Sequence, residues 1–297
     1  MRRSLIEGST SANRRVSACP LFCTAIPQTF LTPTRKRGGQ CSMGLQLLPL
    51  TAEDFSAITN HASIFEPGDD LVGPPVPVCW PVSTREEAQT RLRVHMEKQS
   101  ERYTKDLSIN YLKVIDDSGS IMSVARWHWY PNGYSYEKES HWETYPEASL
   151  SEPWAKQFNI PLNNFILGSR DAERSSWIGK DRPCWILMHL VTRPSQRGKG
   201  TARLLVQWGI EQAEINGAAA YLEAGAMGRP IYEKMGFRQV GELMELNLRP
   251  FGVETTFVMA KMAYIPSRGE KSLNHDTDNF QNHVKGIVYE SDQKAQN

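Results

Sequence analysis

The residues best placed for chemistry are Arg197-Gly198-Lys199-Gly200-Thr201-Ala202. They join a near-continuous apolar run, Cys184 to Thr192, to a segment with helical periodicity, Thr201 to Asn216. The run reads as a strand buried on both faces. In the helical segment Ala202, Leu205, Val206, Gly209 and Ala213 share one face, and Gly217 is placed to cap the C-terminus. Glycines at 198 and 200 let the backbone approach a ligand closely. The first-turn N–H groups of a helix have no partner within it, and the helix dipole favours an anion there. Arg197 and Lys199 add positive charge, so the turn suits a pyrophosphate.

Two phosphate motifs fail here. A Walker loop would need glycine at Arg193 and Ser or Thr at Gly200. A dinucleotide fingerprint would need a small residue at Arg203. The pattern that fits is R/Q-x-x-G-x-G/A, met by Arg197, Gly200 and Ala202.

The elements that must hold this turn are legible around it. Leu45 to Leu50 reads as a first strand, and Thr51 caps a helix with acids in its first turn. Glu66 to Pro81 is proline-rich and is expected to be a loop. Ser83 starts a second helix, with Glu86 as its capping-box partner, running to about Arg102. Leu107 to Asp116 and Ser120 to Tyr130 are strands about the turn Asp117-Ser118-Gly119. Pro131 to Asp181 breaks the pattern and carries Tyr134, Tyr136, Trp142, Tyr145, Trp154, Phe158 and Trp177. It reads as an irregular insertion, either a functional lid or ordinary packing. Further on, Ala218 to Ala224 is a buried strand, Arg229 to Met235 a short helix stopped by Gly236, and Phe237 to Leu246 and Thr255 to Met262 two last strands. The expected fold is α/β, a mixed sheet with helices on both faces.

Composition bounds the rest. The chain has 297 residues, 40% of them apolar, and a formal net charge of +1. This argues against a dedicated nucleic-acid binder, which usually carries a strongly basic face. No apolar run approaches the roughly 18 residues that span a bilayer, so no membrane segment is expected. The five cysteines form no CxxC pair and no zinc spacing, so no metal is expected and the thiols read as reduced and intracellular. Residues 1–42 are basic and Ser/Thr-rich, with Glu7 as their one acid. They read as an unstructured leader ahead of a start at Met43 or as a mitochondrial transit peptide, and the missing helical period favours the former. A cytoplasmic protein is expected, mitochondrial if the leader targets it. Residues 43–264 would be one domain, containing the insertion at 131–181, and the polar segment 265–297 a flexible tail.

With Pro194 before the turn, Leu222-Glu223-Ala224 after it, and Ile231-Tyr232-Glu233-Lys234-Met235-Gly236-Phe237 beyond, the chain resembles the GNAT superfamily of N-acetyltransferases. The last run is similar to that family's Y-x-K-x-GF signature. The resemblance implies a central mixed, mostly antiparallel sheet flanked by helices on both faces. It implies acetyl-CoA as co-substrate, lying where two strands splay. Leu190, Val191 and Thr192 would pair with its pantetheine arm, and Arg197, Gly198, Lys199, Gly200, Thr201 and Ala202 would hold its pyrophosphate. A neutral amine would attack the thioester directly, a backbone N–H near Leu190 would stabilise the oxyanion, and Tyr232 would protonate the departing thiolate. Family members often place a carboxylate base on the strand before the turn. Here that strand offers His189, which reads rather as a satisfied core or cleft histidine, as does His128 on the preceding strand. Ala226 stands where many relatives carry a polar contact to the cofactor. The expected acceptor is a primary amine of a small molecule. A non-catalytic CoA-binding module and a protein N-acetyltransferase are the competing readings. The acceptor's identity and the oligomeric state are not set by the sequence.

Overall fold

The computed structural model describes residues 44–60, 71–138, 143–179 and 181–267. The expected leader, Trp142 and nearly all of the expected tail lie outside the described residues. The first strand, β1, is Gln46–Pro49, and helix α1 is Ala52–Asn60. Both the N–H and the hydroxyl of Thr51 donate to the Asp54 carboxylate, at 2.7 and 3.1 Å. Asp54 also receives Lys113 Nζ at 2.6 Å, which ties the helix start to the sheet. The expected proline-rich loop contains a four-residue helix, α2, at Val76–Cys79.

Helix α3 is Arg85–Lys105, and its capping box is Thr84 with Glu87, not Ser83 with Glu86. Two overlapping S/T-x-x-E frames exist. The later one wins because the Glu87 carboxylate accepts both the Ser83 and the Thr84 N–H groups, at 2.7 and 3.1 Å. The helix therefore starts one residue later and also runs past Arg102.

The remaining strands are β2 Ile109–Ile115, β3 Ile121–Tyr130, β4 Cys184–Thr192, β5 Ala219–Ala224, β6 Arg238–Gln239, β7 Met244–Asn247 and β8 Thr256–Tyr264. Their order is β1-β2-β3-β4-β5-β8-β6, with β7 also paired to β8. Every pairing is antiparallel except β4 with β5, so the sheet is mixed and mostly antiparallel, as expected. The single strand expected over Phe237 to Leu246 is two short ones. Gly241, at φ +64°, turns the chain between them.

The other correction lies in the insertion. Residues Ile160–Trp177 form an 18-residue helix, α4, inside the stretch expected to be irregular. Asn159 caps it by accepting the Leu162 N–H at 3.1 Å, and Pro161 sits in its first turn, where a missing N–H costs nothing. Its buried face is Leu162, Ile166 and Leu167 followed by Arg170, Asp171 and Arg174. Charged residues in the second half of that face hide the helical period.

Helices cover both faces of the sheet. On one lies α5, Thr201–Asn216, with α6, Arg229–Lys234, beside it. The indole of Trp127 on β3 lies against α5, donates to the Leu205 carbonyl at 3.1 Å, and fills the space where a side chain at Gly209 would be. A Cβ at 209 would fall 2.1 Å from that ring, so only glycine allows this approach. On the other face, α1 and α3 bring Phe55, Ile58, Leu92 and Met96 against Tyr111, Val124 and Val191. Helix α4 covers β5 and β8 on that same face, through Arg174 to Glu223 and Lys261 to Glu173. Among the described residues, no helix is long and apolar enough to cross a membrane.

Candidate active site

The parallel pair at the centre of the sheet comes apart. The β4–β5 ladder runs from Cys184–Ala219 to Leu187–Leu222 and stops. Beyond it, Glu223 and Ala224 pair only with β8, while β4 continues to Thr192 against β3. The β3–β4 register also shifts here: Trp127 faces Leu187 and Arg126 faces His189, which leaves Met188 as an extra residue. A bulge of this kind bends the strand carrying it. The gap opens into a cleft of about 1360 Å³. Leu190, Val191 and Thr192 line one wall; Leu222, Glu223 and the loop Gly225–Gly228 line the other.

At one end of the cleft stands the turn before α5. Gly198 and Gly200 have φ of +78° and +84°. These are left-handed conformations that side-chain-bearing residues adopt only at a cost. A Cβ at either would meet nothing within 4 Å, so the turn is a cradle open to a ligand. Gly200 is the N-cap of α5, and no side chain caps the helix. Its first-turn N–H groups therefore remain available to an anion. Arg197, Gly198, Gly200, Thr201 and Ala202 all line the cleft. Lys199 does not; its Nζ turns to Gln196 Oε1 at 2.6 Å.

Tyr232 on α6 lines the same cleft and is 7% exposed. Its ring packs edge-on to Phe237 at 6.0 Å, and Gly228, one turn earlier, leaves room for it. Burial raises its phenol pKa above the usual value, so it stays protonated.

His189 is half-buried at the cleft, and its ring nitrogens are not satisfied. Neither ring nitrogen has a hydrogen-bond partner, Gly73 closes over Nε2, and the His95 ring lies 5.8 Å away. Burial, then the neighbouring His95 and Arg126, hold it well below the usual imidazole range, so it is neutral. His128 lies elsewhere, bound through Nδ1 to Ser108 Oγ at 2.8 Å, with its Nε2 buried and unpartnered. Ala226 lines the cleft without offering a polar side chain.

At the far end of the cleft the insertion does contribute, through α4 and not through its aromatics. Val72 to Pro75, Ile166, Leu167 and Arg170 on α4, and Phe257 to Met259 on β8 form that end. No motif marks these residues, which meet only through the fold. The insertion's aromatics do something else. Trp154 stacks on Trp80 at 5.6 Å, and Phe158 stacks on the same indole at 4.9 Å, while Tyr145 closes the group edge-on. They build a local core, and none of these three lines the cleft.

Residues 132–250 match a family model described as the acetyltransferase (GNAT) domain. The chain is also similar to solved structures. One is of histone acetyltransferase HPA2 and related acetyltransferase from Corynebacterium glutamicum, 21% identical, covering 76% of this chain and 98% of that one, with a TM-score of 0.46. Another is Chaetomium thermophilum Naa20 in complex with a bisubstrate analogue, 11% identical over 78% of this chain and 93% of that one, TM-score 0.41. A third is spermidine N-acetyltransferase from Vibrio cholerae in complex with CoA and spermine, 14% identical over 76% and 98%, TM-score 0.38. Comparison with curated proteins gave no match. The sequence match to the GNAT acetyltransferase domain thus spans residues 132–250, which hold the glycine turn and Tyr232.

Proposed function

We propose that the protein is an acetyl-CoA-dependent N-acetyltransferase acting on a primary amine of a small molecule. The observation that carries this reading is the cleft itself. It runs from an uncapped helix N-terminus behind a glycine cradle, along the free β5-side edge of β4, to a buried protonated phenol. The cradle fits a pyrophosphate, because both glycines present open backbone where a Cβ would intrude. Arg197 to Ala202 would hold that group, and Leu190, Val191 and Thr192 would offer the free edge of β4 to the pantetheine amides. The bound co-substrate supplies an activated acetyl thioester.

This chain's own residues then have defined tasks. The backbone at Leu190 donates to the oxygen on which negative charge develops as the amine nitrogen bonds to the carbonyl carbon. The C–S bond breaks and Tyr232 gives its proton to the departing sulfur. The new amide nitrogen loses one proton to solvent, and a proton from solvent restores the Tyr232 phenol, so the cycle balances. Strand β4 carries no carboxylate that could take the amide proton directly; its titratable side chains are the buried Cys184 thiol and the neutral His189. The enclosing walls of α4, Gly73 and β8 favour a small acceptor over an extended one. The retained phenol speaks against a module that only binds CoA, since such a module needs no donor there. Thiol release from acetyl-CoA across an amine panel tests the reading. Transfer abolished in Gly200→Gln and slowed in Tyr232→Phe supports it; a protein that binds acetyl-CoA but releases thiol with no amine refutes it.

A further inference from the structure

Arg170 is 7% exposed and lines the acceptor end of the cleft. Its Nε donates to Asp171 Oδ1 at 2.9 Å, and its Nη2 lies 2.7 Å from that same oxygen. The oxygen is shared: Arg174 Nη1 also donates to it, at 2.8 Å. Arg174 turns its other nitrogens to Glu223, at 2.7 and 2.6 Å, so Glu223 is fully engaged. Nη2 of Arg170 is buried and held by that ion pair with Asp171, without a well-aligned hydrogen bond. Among the described residues, no acceptor takes a hydrogen bond from Nη1 either.

Asp171 therefore holds Nε and Nη2 of Arg170 and leaves Nη1 without a hydrogen bond among the described residues. Its field is felt further off. Burial opposes ionisation of Glu143, yet Arg102, Arg126 and Arg170 together hold that carboxylate well below the usual range. The planar fork of a guanidinium matches a carboxylate, and a charge-assisted pairing is among the stronger hydrogen bonds. Position gives the scale. Arg174 binds Glu223, which lines the cleft just past the last β4–β5 pair. Arg170 stands one helical turn away, about 5–6 Å along the same helix face. Ile166 and Leu167, one turn further, continue the wall with apolar surface.

We infer that the acceptor is an amino acid: an amine whose carboxylate, a few bonds away, is bound by Arg170. This rests on the acetyltransferase reading and narrows it to one substrate class. The test uses matched pairs, each amino acid beside the amine left by its decarboxylation, with acetyl-CoA and thiol release as readout. The carboxylated member is expected to have the higher kcat/KM by about ten- to a hundredfold, the range of one charge-assisted pairing. Arg170→Gln should bring the ratio towards one, mainly through the acceptor KM, and Arg170→Lys should restore part of it. Equal kcat/KM within pairs of the unaltered protein overturns the inference and leaves the acetyltransferase reading intact. So does an Arg170→Gln protein that melts earlier yet keeps the ratio, since Arg170 would then only brace Asp171. Should Arg170→Gln not fold, the ratio in the unaltered protein decides alone. If no amine of any kind releases thiol, the acetyltransferase reading falls and this inference with it.

Discussion

The two ends of the cleft are made from different materials. At the glycine turn the binding groups are backbone N–H groups, exposed because Gly198 and Gly200 hold left-handed conformations. At the far end they are side chains of α4, of the segment Val72–Pro75 and of β8, held by buried ion pairs. A ligand group common to many substrates suits the first construction, because backbone amides read charge and shape alone. A group that differs between substrates suits the second, because one side-chain change alters it. The contrast predicts that damage at the glycine turn weakens co-substrate binding with little loss of stability, and that damage to the far end's buried ion pairs costs stability first.

The largest effect expected is in the far end's support. Glu223→Gln removes the charge opposite Arg174, whose side chain is 1% exposed. Breaking a buried pair of this kind costs about 3–5 kcal/mol, read as a lowered denaturant midpoint. An unchanged midpoint would show that Asp171 alone satisfies Arg174. At the other end, Gly200→Gln should weaken acetyl-CoA binding by about a hundredfold or more in calorimetry, because it blocks charge-assisted N–H contacts. A Cβ there clashes with nothing, so the melting point should fall only by the strain of a left-handed residue, about 1–2 kcal/mol. Unchanged affinity in a folded variant would remove the pyrophosphate site from this turn.

Between the ends, Tyr232→Phe keeps the ring against Phe237 and deletes the proton donor. Turnover should drop by about a hundredfold with acetyl-CoA affinity nearly constant. Equal turnover, with chemistry shown to limit the rate, would dismiss the phenol as the acid. Smallest is Thr84→Ala, outside both ends. It deletes a side-chain cap on α3 and should cost about 1 kcal/mol, while Ser83→Ala should cost less. The reverse ranking would restore the earlier capping frame.

The same contrast explains what could be read in advance. Strand β4, the glycine turn and α5 announce themselves because apolar period and glycine are local signals. The turn's boundaries need no knowledge of the rest of the chain. Helix α4 gave no such signal, although Asn159 and Pro161 mark its start. Arg170, Asp171 and Arg174 lie on its inner face, so charge occupies positions where periodicity expects apolar residues. Those charges are buried because they pair with one another and with Glu223, a relation visible only in three dimensions. His189 shows the same limit in miniature. Its place on the strand follows from the apolar run around it, but its two unpartnered nitrogens depend on Gly73 and His95, far away in sequence.

The early end of the β4–β5 ladder has one more consequence. From Met188 to Thr192 no strand pairs with β4 on its β5 side among the described residues, so an edge strand lies in the middle of the sheet. Exposed strand edges invite pairing with other chains, and proteins normally cover or blunt them. Here the cover would be the pantetheine arm, so the co-substrate would double as a removable strand. A ligand that binds only the folded chain also stabilises it by mass action, by about 2.7 kcal/mol at a hundredfold excess over Kd. Acetyl-CoA would then act as a folding partner as well as a reagent, and the protein stored without it should be the form that aggregates first.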